Sequence, residues 1–171
     1  MGFLGCAHPA TTPSTALTVD EQTAIEVAAF RAGLRYQSSP SDIPGDLAEV
    51  TGKRQVLMCL GVFAEASQLA DPSPRVVQTL VEAGALVAPT SQCRNPGIQP
   101  PLLYDGSRVA LGAVLLEPVQ SVHDKEVVVD LWRGASTSLG ASVTTFQHLT
   151  LVLVRTADGW AIRDVVEGAV N

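Results

Sequence analysis

Alternation between apolar and polar positions is strongest in the last third of the chain. Between Phe146 and Arg155, Leu149, Leu151 and Leu153 interleave with Thr150, Val152 and Val154. Leucines therefore line one face of an extended segment and β-branched residues the other, and both faces carry enough apolar bulk to be covered. A second run, Trp160 to Val166, places Trp160, Ile162 and Val166 on one face together with Asp164, and Arg163 and Glu167 on the other. Thr156-Ala157-Asp158-Gly159 joins the two runs. An Asp-Gly pair supplies the positive φ that a tight hairpin needs.

Two further strands precede this hairpin. Val109 to Leu116 reads as one, continuing past Pro118 to Val122 as an edge or bulged strand, because proline cannot donate to a ladder. His123-Asp124 turns the chain, and Val127 to Trp132 follows, with Val127, Val129 and Leu131 on one face and Val128, Asp130 and Trp132 on the other. Gly134 to Ser142 is a loop of small residues. The pattern predicts a four-stranded antiparallel meander over 109–166.

The first half has helical spacing. Thr18 and Glu21 form a T-x-x-E capping box, and a helix is expected to about Tyr36. Its apolar stripe contains Ile25, Val27, Phe30 and Leu34, and Arg31 and Arg35 complement the dipole at its C-terminal end. Gln37 to Thr51 reads as a surface loop with a turn of helix at Asp46 to Val50, Gln55 to Leu60 as a short strand, and Phe63 to Leu69 as a helical turn or two. Ser73-Pro74 opens a second helix with a capping hydroxyl and a proline at the first helical position; Val76, Val77, Leu80 and Val81 mark its face, and Gly84 ends it. Ala85 to Ala88 adds a small strand, and Ser91 to Ser107 is a long irregular connection.

At 171 residues the chain has the length of one domain, with apolar residues at 46% and charged residues at 16%. The net charge of -6, with no basic cluster larger than Lys53-Arg54, excludes a phosphate-tracking surface and hence nucleic acid as a partner. No apolar run approaches the roughly 20 residues of a membrane-spanning helix.

The amphipathic helix, the shorter helix and the meander closing in Asp158-Gly159-Trp160-Ala161-Ile162 resemble the cystatin-like and NTF2-like α+β folds. That resemblance implies two helices packed on a curved antiparallel sheet of about four main strands, with a cone-shaped pocket that some members use for catalysis and others for binding or dimerisation. Phe3-Leu4-Gly5-Cys6 resembles the end of a bacterial lipoprotein signal, which implies lipid attachment at Cys6 and makes 1–17 a tether, rich in Ala, Thr, Pro and Ser, for a single domain over 18–171. The competing reading is a disordered terminus without an anchor.

If Cys6 carries lipid, Cys59 and Cys93 remain as an even pair. They either bond to each other in an oxidising compartment or lie as ordinary buried thiols. Catalytic candidates are weak. His148 and Asp130 could meet across the sheet as a proton-transfer pair, and Asp164, among apolar neighbours, could join them. Structural placement of all three is the simpler reading. Cys6-Ala7-His8 lacks the ligand set of a metal site, and Gly45 to Gly52-Lys53 has the wrong spacing for a phosphate loop. Ser136 and Ser142 lack the second glycine of a nucleophile elbow. No cofactor or metal is implied.

The sequence thus points to a non-catalytic, exported or envelope-anchored domain on the periplasmic side, binding a protein, peptide or apolar ligand, with membrane contact only through lipid. The alternatives are an NTF2-like pocket enzyme, an isomerase, dehydratase or hydrolase of small organic molecules, and a cytoplasmic homodimerisation module.

Overall fold

The computed structural model describes residues 17–35, 55–64, 68–93, 102–105, 108–119, 121–123, 125–136 and 144–170. Cys6, residues 1–16 of the tether, the loop at 37–51 and Gly45 and Gly52 lie outside them, as do Asp124 and Ser142; Leu17, the last tether residue, packs against the core.

The first element is α1, Val19–Arg35. Thr18 and Glu21 close the capping box reciprocally: the Thr18 N–H donates to Glu21 Oε2 at 2.9 Å, and the Glu21 N–H donates to Thr18 Oγ1 at 3.2 Å. The second helix, α2, is Pro74–Glu82, with Ser73 as its N-cap and Val76 and Leu80 buried. Gly84 follows it with φ of 86°, a conformation costly for any residue with a Cβ.

Among the described residues, nine strands make one mixed, mostly antiparallel sheet. In chain order they are β1 (Gln55–Phe63), β2 (Leu69–Ala70), β3 (Val87–Pro89), β4 (Leu102–Asp105), β5 (Arg108–Leu116), β6 (Ser121–His123), β7 (Glu126–Ser136), β8 (Thr144–Thr156) and β9 (Gly159–Val170). The continuous path is β2-β1-β5-β7-β8-β9. The expected meander is its antiparallel half: β5 with β7, β7 with β8, and β8 with β9. Gly159, with φ of 124°, makes the closing hairpin turn.

The other half departs from the all-antiparallel expectation. β1 runs parallel to both β5 and β3. An apolar run buried on both sides reads alike in either direction, so its pattern carries no sign of strand polarity. Phe63 and Leu69, the ends of the expected helical segment, are strand residues that pair with each other across β1 and β2, extending the ladder. Residues 117–119 break the expected strand extension, and β6 pairs separately with β7. Gly134 belongs to β7, opposite Phe146, rather than to a loop.

Among the described residues, both helices pack on one face of the sheet. Leu149, Leu151 and Leu153 of β8 are each 0% exposed, and with Val127, Val129 and Leu131 of β7, Val114 and Leu116 of β5, and Met58 and Leu60 of β1 they form the inner row. Ile25, Ala29 and Phe30 of α1 and Val76 and Leu80 of α2 pack against it. Gly33 permits the closest approach: a Cβ there would stand 2.7 Å from Val114 Cγ1 and 3.0 Å from Leu131 Cδ1.

In β9 the face assignment changes part-way. The register shifts between Val152 and Leu153, whose partners are Asp164 and Ile162, so Arg163 is an extra residue. Val165, opposite Leu151, therefore joins Ile162 and Trp160 at the core, while Val166 turns outward and is 54% exposed. The expected face of Trp160, Ile162, Asp164 and Val166 is thus split by a bulge.

Candidate functional site

The outer face of the sheet carries the polar chemistry. Alternation that sends leucines inward necessarily sends their neighbours outward, and registration of β7 on β8 places Asp130 opposite Thr150 and Trp132 opposite His148. Thr150 Oγ1 donates to Asp130 Oδ1 at 2.6 Å, and His148 Nε2 lies 3.3 Å from the same oxygen. The Trp132 ring packs on the imidazole with centroids 4.5 Å apart at an interplanar angle of 38°, and its Nε1–H donates to Glu117 Oε1 at 2.6 Å. His148 and Asp130 therefore do meet across the sheet.

Their surroundings limit what they can do. Nε2 of His148 is directed to Asp130, and the other nitrogen is pressed against β9: a Cβ on Gly168 would come within 2.7 Å of Nδ1. A general base must present a lone pair within hydrogen-bond reach of its substrate, and the His148 side chain, 26% exposed, sits with Nε2 toward Asp130 and Nδ1 beside Gly168. Asp164 does not join the pair. It is exposed, and its Oδ1 accepts from the Val165 N–H at 2.9 Å, next to the bulge. No group of three or more His, Cys, Asp or Glu side chains with metal-binding potential occurs among the described residues.

Between α1 and the sheet, Phe30 and Ile25 pack directly on the inner row. An open groove of about 300 Å³ lies between α1, α2 and the β8–β9 turn, lined by Thr23, Val27, Arg31, Arg75 and Trp160 among others. Its lining includes the Arg75–Asp20 ion pair, and a second pair joins Arg155 to Glu21. The Arg155 guanidinium also lies 5.2 Å from the Trp160 ring centroid. The capping-box glutamate thus also ties the start of α1 to the hairpin.

Cys59 and Cys93 form a disulfide, with Cα atoms 6.4 Å apart. They pack with Ala88 in a small cluster on the outer side of β1, separate from the main core. Beside it, Asp71 accepts three hydrogen bonds from the short 3-10 turn Thr90–Gln92. Partial desolvation would raise its pKa, but the Ser91 hydroxyl and N–H and the Thr90 hydroxyl outweigh it and hold the carboxylate below its usual range. Burial lowers the pKa of the Arg133 guanidinium. In α1, burial lifts the Glu26 carboxyl, partly offset by the Gln22 amide, which donates to it at 3.0 Å.

Asp71, Gly168 and Glu117 were not legible as site residues from sequence. Only Gly168 left a trace, since a glycine inside a strand pattern marks a bulge or a close approach. No family model, no curated protein and no solved structure gives a significant match to this chain.

Proposed function

We propose that this chain is an exported, non-catalytic domain of a bacterial envelope lipoprotein, anchored through Cys6, that binds a protein, peptide or apolar ligand. The observation that carries the address is the buried disulfide: Cys59 and Cys93 are 5% and 3% exposed and joined. Such bonds persist where thiols are oxidised and are rare in a reducing cytosol. A non-catalytic role is supported by Asp130 being engaged by the Thr150 hydroxyl, by Asp164 standing apart from the His148–Asp130 pair, and by the close packing of Phe30 and Ile25 on the inner row. The element order supports kinship with cystatin-like and NTF2-like folds, with the parallel β1–β5 pairing as a departure from the all-antiparallel pattern. The test is protease digestion of intact and of lysed spheroplasts expressing the natural gene with its upstream sequence. Degradation in intact spheroplasts is expected; protection until lysis contradicts the address.

One observation favours a second reading. The His148–Asp130 contact at 3.3 Å is the geometry an isomerase, dehydratase or hydrolase would need for an oriented base. A small-molecule turnover lost in both Asp130→Asn and His148→Gln, with thermal stability kept, would move the assignment to that reading.

A further inference from the structure

The disulfide sits at the end of a strap whose other attachments do not depend on it. β2 is fixed to β1 by antiparallel pairing at Val62–Ala70 and Phe63–Leu69, and Asp71 follows directly. Its Oδ1 accepts from the Ser91 N–H at 2.8 Å and from Thr90 Oγ1 at 3.1 Å, and its Oδ2 accepts from Ser91 Oγ. One carboxylate thus receives donors from two successive residues of the Thr90–Gln92 turn. Cys93 closes that turn, its N–H donating to the Thr90 carbonyl at 3.0 Å.

The turn also rests on β1 itself. A Cβ on Gly61 would come within 3.0 Å of Thr90 Cγ2 and 2.7 Å of Leu69 Cδ1, so both ends of the strap pack where only a glycine leaves room. On the near side, β3 holds Ala88 opposite Cys59 in a parallel ladder. Cys93 is therefore aimed at Cys59 by backbone pairing, by packing over Gly61 and by Asp71. The main core contains neither cysteine.

We propose that Asp71 is a positioning residue whose carboxylate holds the Thr90–Gln92 turn so that Cys93 stays opposite Cys59 in the reduced, folded domain, making this disulfide one that the native fold closes for itself. With a glutathione couple as the oxidant, one cysteine thiolate attacks oxidised glutathione, forming a mixed disulfide and releasing a glutathione thiolate. The second cysteine thiolate then attacks the protein-bound sulfur, closing Cys59–Cys93 and releasing the second glutathione thiolate. Two protein thiols are oxidised and one glutathione disulfide is reduced. Asp71 acts on the second step by keeping the two sulfurs near each other, which raises their effective concentration.

The experiment equilibrates the purified full chain in buffers of varied reduced-to-oxidised glutathione ratio, traps free thiols by alkylation, and maps Cys6, Cys59 and Cys93 separately by peptide mass. Asp71→Asn is expected to lower the equilibrium constant for closing Cys59–Cys93 about tenfold, equivalent to about 30 mV, because a carboxylate acceptor of three hydrogen bonds is replaced by a neutral amide. Asp71→Glu is expected to restore part of it, and Asp158→Asn, at the distant hairpin tip, to leave it unchanged. A wild-type constant in Asp71→Asn overturns the positioning role. Loss of cooperative thermal unfolding in the reduced wild-type protein overturns the claim that the fold, rather than the bond, comes first. Neither result depends on the compartment in which the protein works, so this inference and the proposed export fail separately.

Discussion

The two faces of strand β8 are built from alternate residues of one segment, yet they do different work. Leu149, Leu151 and Leu153 are sealed under α1, while His148, Thr150 and Val152 stand on a half-buried surface shared with Asp130 and Trp132. The inner row holds the fold together through area removed from water. The outer row holds polar side chains in fixed relation to one another, at little cost to the core. The difference explains why the disulfide, the His148–Asp130 contact and the Asp71 strap all occur on the outer side: chemistry there does not compete with packing.

The largest expected contrast comes from truncating neighbours on the two faces. Leu151→Ala should destabilise the domain by about 3 kcal/mol, combining lost transfer energy with the cavity left under α1. Val152→Ala should cost about 1 kcal/mol or less, because its side chain is already partly solvated. Urea unfolding of both variants measures this, and equal costs would break the distinction between the faces.

Glycines sharpen the same comparison. Gly33→Ala forces a methyl against Val114 and Leu131 between α1 and the sheet and should cost about 2 kcal/mol. Gly168→Ala meets His148 first, and turning that ring away relieves the 2.7 Å contact with Nδ1, so about 1 kcal/mol is expected, together with a change in tryptophan fluorescence as the imidazole moves against Trp132. An unchanged emission spectrum in Gly168→Ala would show that His148 is not held between Trp132 and β9.

The smallest effect concerns α1. Because burial raises the Glu26 pKa, the folded protein holds that proton more tightly than the unfolded chain does. Stability therefore declines as pH rises from the ordinary glutamate range through the raised value. Glu26→Gln should remove this slope and stabilise the domain at neutral pH by less than about 1 kcal/mol. Thermal melts across mildly acidic to neutral pH read the difference; identical slopes in the two proteins would contradict it.

Local patterns made the antiparallel half of the fold legible. Alternation fixed which residues of β7 and β8 face inward, and the capping box and Ser73-Pro74 located both helix starts within a residue. Long-range pairing was less visible. Nothing in Gln55 to Leu60 distinguishes a parallel neighbour from an antiparallel one, and the bulge at Arg163 comes from registration on β8 rather than from any breaker in the strand. The His148–Asp130 pair was legible because alternation puts both residues on the outer face. The closeness of His148 to Gly168 was not, since it depends on the register of a third strand. Cys59 and Cys93 could be counted but not joined until β3 and the Thr90–Gln92 turn placed them together.

The proposed function stands most directly on the state of those two thiols in the living cell. Cells expressing the natural gene would be quenched in acid and alkylated without reductant, and the protein's peptides mapped by mass. Our account predicts a linked Cys59–Cys93 peptide with neither residue alkylated. Full alkylation of both cysteines would contradict it.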